Sequence, residues 1–390
     1  MEMLFRRKAA YLILALLVGL GRLAPGADEP TGEMMDNPAL VNMLRAKISL
    51  DVIKKKIENS RCRFNAASDE LIAISNAARE GGMPQKDVDD LLKLVIEKAN
   101  SEKVRLKAMG DHFMNICVNG DEQEYESLMR TLLREGRALV PELLKHIEEE
   151  NELKRKGVLD ALGRLGDKTP EVVKSVRLML GDRHPAVRAQ AAKAVAALAG
   201  PDTGKELIRD LERRLGEYTD GFAMALGYLD CKEAVPVLTA VLERSSDKDA
   251  RLAAAFSLGL LQARDKAAVE ALLAAVLDPH DPRLRTAAAK SLGQIAERRA
   301  VDYIIRSFQR YQDGRDELIG QLRYFKTIPV AEFLIRCVEE DSPEIRRAAN
   351  DTLKTLTGAN VDTAEEWRSV LPVIRDRPDW LPETPAPAPK

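Results

Sequence analysis

Six arginines stand at one phase of a repeating pattern: Arg155, Arg188, Arg251, Arg285, Arg315 and Arg346. The steps between them are 33, 63, 34, 30 and 31 residues, and the double step holds one further unit whose matching position is Thr219. A guanidinium presents its donors as a rigid fork, which suits bidentate pairing with a carboxylate or joint capping of several carbonyls. Two uses follow. The row can line a surface and hold an anionic partner, or it can pair with turn aspartates and backbone carbonyls and lock neighbouring helices together. Charges buried between elements are as a rule paired, so the structural ladder is the leading reading.

Other reactive residue types are not arranged for chemistry. His112, His146, His184 and His280 form no HExxH or HxH cluster, and His184 and His280 fall in turns beside prolines. Metal binding and acid–base catalysis need convergent groups, so these histidines read as solvated. Cys62, Cys117, Cys231 and Cys337 lack the close pairing of a metal site. They read as small hydrophobes, with a Cys62–Cys117 disulfide as the alternative. No serine sits in a Gly-x-Ser-x-Gly elbow, and the stretches GRLGDK and LGLLQ lack phosphate-loop spacing. The carboxylates Glu148, Glu149, Glu150 and Glu152 precede a helix and suit the positive end of its dipole. The lysines Lys54, Lys55 and Lys56 read as a wet helix face. No catalytic residue, metal site or cofactor is expected.

The elements that must position the arginines are helical hairpins, repeating about every 32 residues from Ala138 to Gly358. First helices are predicted to begin near Pro141, Pro170, Gly204, Pro236, Ala268, Val301 and Pro329. Proline suits the first turn, where its missing N–H has no helical partner. Second helices share a code, seen in VRAQAAKAVAAL from Val187, ARLAAAFSLGLL from Ala250, LRTAAAKSLGQI from Leu284 and IRRAANDTLKTL from Ile345. Small residues follow the arginine at three and four positions, and apolar residues at seven and ten, which keeps them on one face. Alanines let helices approach closely and leucines fill the layers between them. Such a code at a fixed period predicts an all-α fold, an α-solenoid of about seven stacked hairpins.

These residues resemble HEAT repeats, including those of bilin-lyase-like proteins, over residues 138–358. The Thr219 unit departs from the pattern by lacking the arginine, and the Arg315 unit by lacking the alanine pair in ELIGQLRYF. The resemblance implies a ladder in which recurring Asp and Arg side chains bond between repeats. Asp247 and Asp281 precede their arginines by four residues, Asp341 by five and Asp182 by six, so these are the expected partners. Hydroxylases with HEAT-like repeats bind iron through His-Glu pairs, and no such pair occurs here.

Outside the repeats, Arg6, Arg7 and Lys8 precede an apolar stretch from Ala9 to Leu20 and small residues around Gly26 and Ala27. Residues 1–27 therefore read as a signal peptide, with an uncleaved anchor as the other reading; the stretch is short for a membrane span. Residues 28–37 are expected to be a flexible leader, and 38–137 a helical N-terminal region covering the first repeat. That region is expected to hold one long helix from Pro38 to about Asn59, a stripe from Val88 to Ala99 and another from Leu106 to Cys117. Gly358 suits a helix C-cap, Trp367 is placed to cover the last repeat within a 359–377 cap, and 378–390 is a proline-rich tail.

Charged residues make up 31% of the chain at a net −2, and aromatic residues only 4%. That balance opposes nucleic-acid binding, which rests on phosphate neutralisation and stacking. The expected function is an exported, periplasmic or secreted, non-catalytic scaffold that binds a protein or peptide. The alternatives are a bilin-lyase-like enzyme or cofactor chaperone and, less favoured, a HEAT-type nucleic-acid binder. Contact positions expected from helix phase are Lys193, Ser257, Arg264, Lys290, Gln294 and Lys354.

Overall fold

The computed structural model describes residues 34–377 and Trp380, apart from 201, 214–217 and 341. Residues 1–27, expected to be a signal peptide, and nearly all of the segment expected to be a proline-rich tail lie outside the described residues. The chain parts into two compact units between Met109 and Gly110. The boundary expected near residue 137 thus falls inside the second unit.

The first unit opens with β1 (Met34–Asp36), so the expected leader already carries structure at residue 34. β1 pairs in parallel with β2 (Arg61–Arg63), Met35 opposite Cys62. Between them lie α1 (Asn37–Arg45) and α2 (Leu50–Asn59). The single helix expected over 38–59 is broken where Lys47 takes a left-handed φ of 55°. Asp36 caps α1 by accepting from the Ala39 amide at 2.9 Å. α3 (Ser68–Glu80) and α4 (Gln85–Asn119) complete the unit, and α4 joins the two expected stripes into one helix of 35 residues. Leu40, Leu44, Ile53, Ile57, Ile74, Val88, Leu91 and Val95 form its core.

The second unit contains the end of α4, α5 (Glu122–Glu135) and seven hairpins. First helices are α6 (Val140–Leu144), α8 (Pro170–Leu178), α10 (Thr203–Arg213), α12 (Val235–Arg244), α14 (Lys266–Val276), α16 (Ala300–Arg310) and α18 (Ile328–Cys337). Second helices are α7 (Glu152–Leu165), α9 (Pro185–Leu198), α11 (Asp220–Tyr228), α13 (Lys248–Leu260), α15 (Pro282–Gln294), α17 (Arg315–Gly320) and α19 (Pro343–Thr357). Each first helix begins within two residues of its expected start. The fold is an all-α solenoid. Its second helices stack on one another closely, while the first helices meet more sparsely.

The code explains the stacking. Ala191, Ala192, Ala254, Ala255, Ala288 and Ala289 are all fully buried, as are Leu258 and Leu292. Burying a leucine contributes roughly 1.5–3 kcal/mol relative to leaving it in water. The Arg315 unit lacks this alanine pair; there α17 stops at Gly320 and a 3-10 turn covers Gln321–Tyr324. α20 (Ala364–Arg375) follows the last hairpin, and Gly358 ends α19 in the left-handed conformation. Trp367 on α20 is 1% exposed and its Nε1 donates to Asn350 Oδ1 at 2.7 Å. Trp380 is also buried, so structure reaches into the segment expected to be tail.

Candidate functional site: the second-helix layer

The arginines begin the second helices and point into the seams between repeats. Arg155 holds Asp182 with two bonds of 2.8 and 2.9 Å and donates to the Glu149 and Glu150 carbonyls. Arg188 meets Asp220 at 2.5 Å and donates to the Asp182 carbonyl at 2.8 Å. Arg251 pairs with Asp278 at 2.9 Å and Arg285 with Asp313 at 2.9 Å. Arg315 approaches Glu340 at 3.8 Å and its guanidinium lies 3.7 Å from the Phe308 ring centroid. Tyr218 and Tyr311 cover Arg188 and Arg285 in the same way, at 4.9 and 4.7 Å.

These partners correct the expected pairing. Arg155, Arg188, Arg251, Arg285 and Arg315 each reach forward to a carboxylate of the next repeat, not to the aspartate just before it in sequence. Asp247 and Asp281 instead cap α13 and α15, accepting from the amides at Asp249 and Ala250 and at Arg283 and Leu284. Asp182 serves both repeats: its carboxylate takes Arg155 and its carbonyl takes Arg188. Asp341 lies outside the described residues. At the end of the array Arg346 is exposed and donates to the Glu340 carbonyl at 2.9 Å. Among the described residues no further hairpin packs over it. At the gap, Asp247 accepts from the Tyr218 amide at 3.2 Å where a ladder arginine would have stood.

Burial divides the ladder energetically. The side chains of Arg188 and Asp220 are 2% and 4% exposed, whereas Asp313 opposite Arg285 is 60% exposed. Burial pushes the Asp220 carboxyl above its usual range even though Arg188 draws it down. Burial also pushes on Asp278, but the His280 amide and Arg251 outweigh it and hold that carboxyl below its usual range.

A second seam pattern was not anticipated from the sequence. Ser257 Oγ donates to the Ala223 carbonyl and Ser291 Oγ to the Ala255 carbonyl, both at 2.8 Å. Each serine faces a glycine of the preceding second helix. A Cβ added at Gly227 would sit 2.5 Å from Ser257 Oγ and 3.0 Å from its Cα. The repeated Ser-Leu-Gly in ARLAAAFSLGLL and LRTAAAKSLGQI is the signal that announces this seam.

That seam overturns one expected contact position. Ser257 is fully buried, because its helical phase, one residue past Phe256, turns it by 100° into the neighbouring helix. Lys193 and Lys290 are exposed on α9 and α15, and Gln294 is half-buried beside Gly259. Arg264 is exposed but stands in the turn after α13 and not on a second helix. Lys354 is half-buried and bound to Asp362 at 2.6 Å. The outward row therefore differs from the expected set. It reads Lys193, Met224, Phe256 and Lys290 on α9, α11, α13 and α15, with Met224 and Phe256 half-buried. Tyr228 packs edge-on against Phe256 at 5.9 Å, and Leu252 and Leu260 flank it, half-buried.

Elsewhere, an open cleft of about 480 Å³ is lined by Asp111, Asn115, Asn119, His146, Glu149 and Lys154 among others. His146 Nδ1 lies 2.8 Å and Lys154 Nζ 3.4 Å from Glu149, so both engage its carboxylate. Among the described residues, no group of three or more His, Cys, Asp or Glu is placed to hold a metal ion. All four cysteines, Cys62 and Cys117 included, are free; burial pushes the Cys117 thiol up to about 12. No helix among the described residues is long and apolar enough to cross a membrane.

The family comparison agrees with the hairpins and their arginine seams: residues 140–227 and 235–323 match the model of HEAT repeats. These segments carry HEAT repeats. No curated protein sequence matches it. Among the solved structures that match, YibA of E. coli has 17% identity and a TM-score of 0.40, over 65% of this chain and 96% of that one. The CpcE–CpcF complex of phycocyanin lyase from Nostoc has 19% identity and a TM-score of 0.35, over 63% and 94%. A Kap121p mutant has 12% identity and a TM-score of 0.43, over 86% of this chain and 47% of that one. At such identities and TM-scores nothing of these proteins' activities is carried over to this chain.

Proposed function

We propose that this HEAT-repeat protein is a non-catalytic scaffold that binds another protein or peptide along its second-helix layer. The observation that supports it is the outward row through Met224 and Phe256, where apolar side chains that the fold leaves half-exposed run across consecutive repeats. Helical arrays use such extended surfaces for long ligands. The polar cleft beside α4 offers no nucleophile–base pair, and the cysteines are weakly acidic through burial. Export to the periplasm or beyond is part of the proposal and rests on the basic and apolar residues of 1–27.

The test is a photo-crosslinking residue placed at Lys193 or Phe256 in the producing cell, followed by identification of the adduct. A specific protein crosslinked from these positions and not from exposed Arg264 supports the reading. Labelling equal at all three positions removes it, and a chromophore copurifying with the protein would favour a cofactor chaperone instead.

A further inference from the structure

Four successive second helices carry, five residues after the ladder phase, Lys193, Met224, Phe256 and Lys290. The two central side chains are apolar and half-buried, and both lysines at the ends are exposed. Neither lysine has an ion-pair partner among the described residues. Near the row on these helices lie Ala197 on α9, Tyr228 on α11, Leu260 on α13, and Ala287 and Gln294 on α15. The one carboxylate on these four helices that is not buried, Asp249 on α13, is held by Arg283 at 3.2 Å. A chain of net −2 thus presents here a strip whose charged groups are both positive. Asp160 holds the same position on α7, where Arg164 and Gln190 engage it; Asp351 holds it on α19, so acidic positions lie beyond the strip on both sides.

Spacing limits what can lie on the strip. Packed helix axes are about 8–10 Å apart. A polyproline-II segment repeats every three residues with a rise of about 3.1 Å each, or about 9.3 Å per turn. Every third side chain of such a segment therefore meets the next second helix. A β-strand presents one face every two residues, about 6.6–6.8 Å apart, and drifts out of step. Polyproline II also leaves its backbone groups solvated, which suits a surface offering few donors and acceptors.

We infer that the strip holds a ten-residue segment of a partner protein in polyproline-II conformation, with carboxylates at its first and tenth places and apolar side chains at its fourth and seventh. The inference rests on the scaffold reading and names its ligand. Lys193 and Lys290 each take an acidic side chain, while Met224 and Phe256, with Tyr228, take the apolar pair.

The test uses the full chain and a fluorescein-labelled ten-residue peptide, with aspartate at places one and ten, leucine at four, phenylalanine at seven, and proline and alanine elsewhere. Anisotropy should show saturable binding that weakens as salt is raised. Moving the two aspartates to places five and six, at constant composition, should weaken binding at least tenfold. The K193E/K290E protein should lose at least tenfold with an unchanged melting temperature, because both lysines are exposed, and should regain affinity for a peptide ended by lysines. Equal binding of the two aspartate registers, or no effect of the charge reversal, overturns the proposal. So does sedimentation showing that Phe256 is covered by a second copy of the chain. If crosslinking from Lys193 captures a specific protein that the peptide fails to displace, the ligand chemistry falls while the scaffold stands.

Discussion

Arg188, Arg285 and Arg346 share one helical phase but face different surroundings, and the surroundings set their worth. Removing Arg188 leaves Asp220 4% exposed and without its ion-pair partner, and breaking a buried pair in this way costs about 3–5 kcal/mol. Removing Arg285 frees an Asp313 that water already reaches, so the loss is that of its hydrogen bonds and packing, about 1–3 kcal/mol. Arg346 is exposed at the end of the array, and its replacement should cost under about 1 kcal/mol. Urea denaturation of the three alanine variants should rank them in that order. Equal losses would show that the ladder arginines act through helix propensity alone. The arginine phase was legible from spacing, but the partners were not. Nearness in sequence pointed to Asp247 and Asp281, whereas the guanidinium is long enough to cross the seam to the following repeat.

At the scale of the element, α13 and α15 each set a serine against a glycine of the second helix before, Ser257 against Gly227 and Ser291 against Gly259. The two meet across the seam, where the serine hydroxyl donates to a carbonyl already engaged in its own helix. Gly227→Ala would place a methyl group 3.0 Å from the Ser257 backbone, which cannot yield as a flexible side-chain tip does. We expect it to lower stability by about 1–3 kcal/mol and to speed amide exchange in α11 and α13. Exchange rates like those of the unaltered protein would mean that the seam has slack. This seam also explains the misplaced contact position. A serine in an alanine-rich helix reads as surface when judged by polarity, yet a hydroxyl is buried at little cost once a carbonyl accepts from it. Phe256, one residue earlier and apolar, is the side chain left toward water, the reverse of what hydrophobicity alone suggests.

The array as a whole stands by nearest-neighbour packing, so its ends matter more than those of a globular domain. Trp367 covers the last hairpin and is held by Asn350. Trp367→Ala should cost about 3–5 kcal/mol, and the loss should be local. Hydrogen exchange is expected to accelerate first in α18 and α19 while α9 and α13 keep their protection. Uniform loss across all hairpins would instead mark the array as one cooperative block. The capping role was readable because a tryptophan after a run of repeats has few other places to bury its surface. The break at Lys47 and the merging of two stripes into α4 were not readable, because helical periodicity is blind to a single residue that changes handedness or to a helix that continues through a polar stretch.

By itself the sequence determined the hairpin period, the starts of the first helices, the buried alanine face and the phase of the arginines. All of these follow from local periodicity and from the short-range chemistry of prolines and caps. Only the tertiary structure decided which carboxylate each arginine meets, which polar residues enter the seams, and which side chains form the outward row. Those outcomes depend on how one helix is rotated and shifted against the next, a relation between residues about thirty positions apart that no single helix encodes.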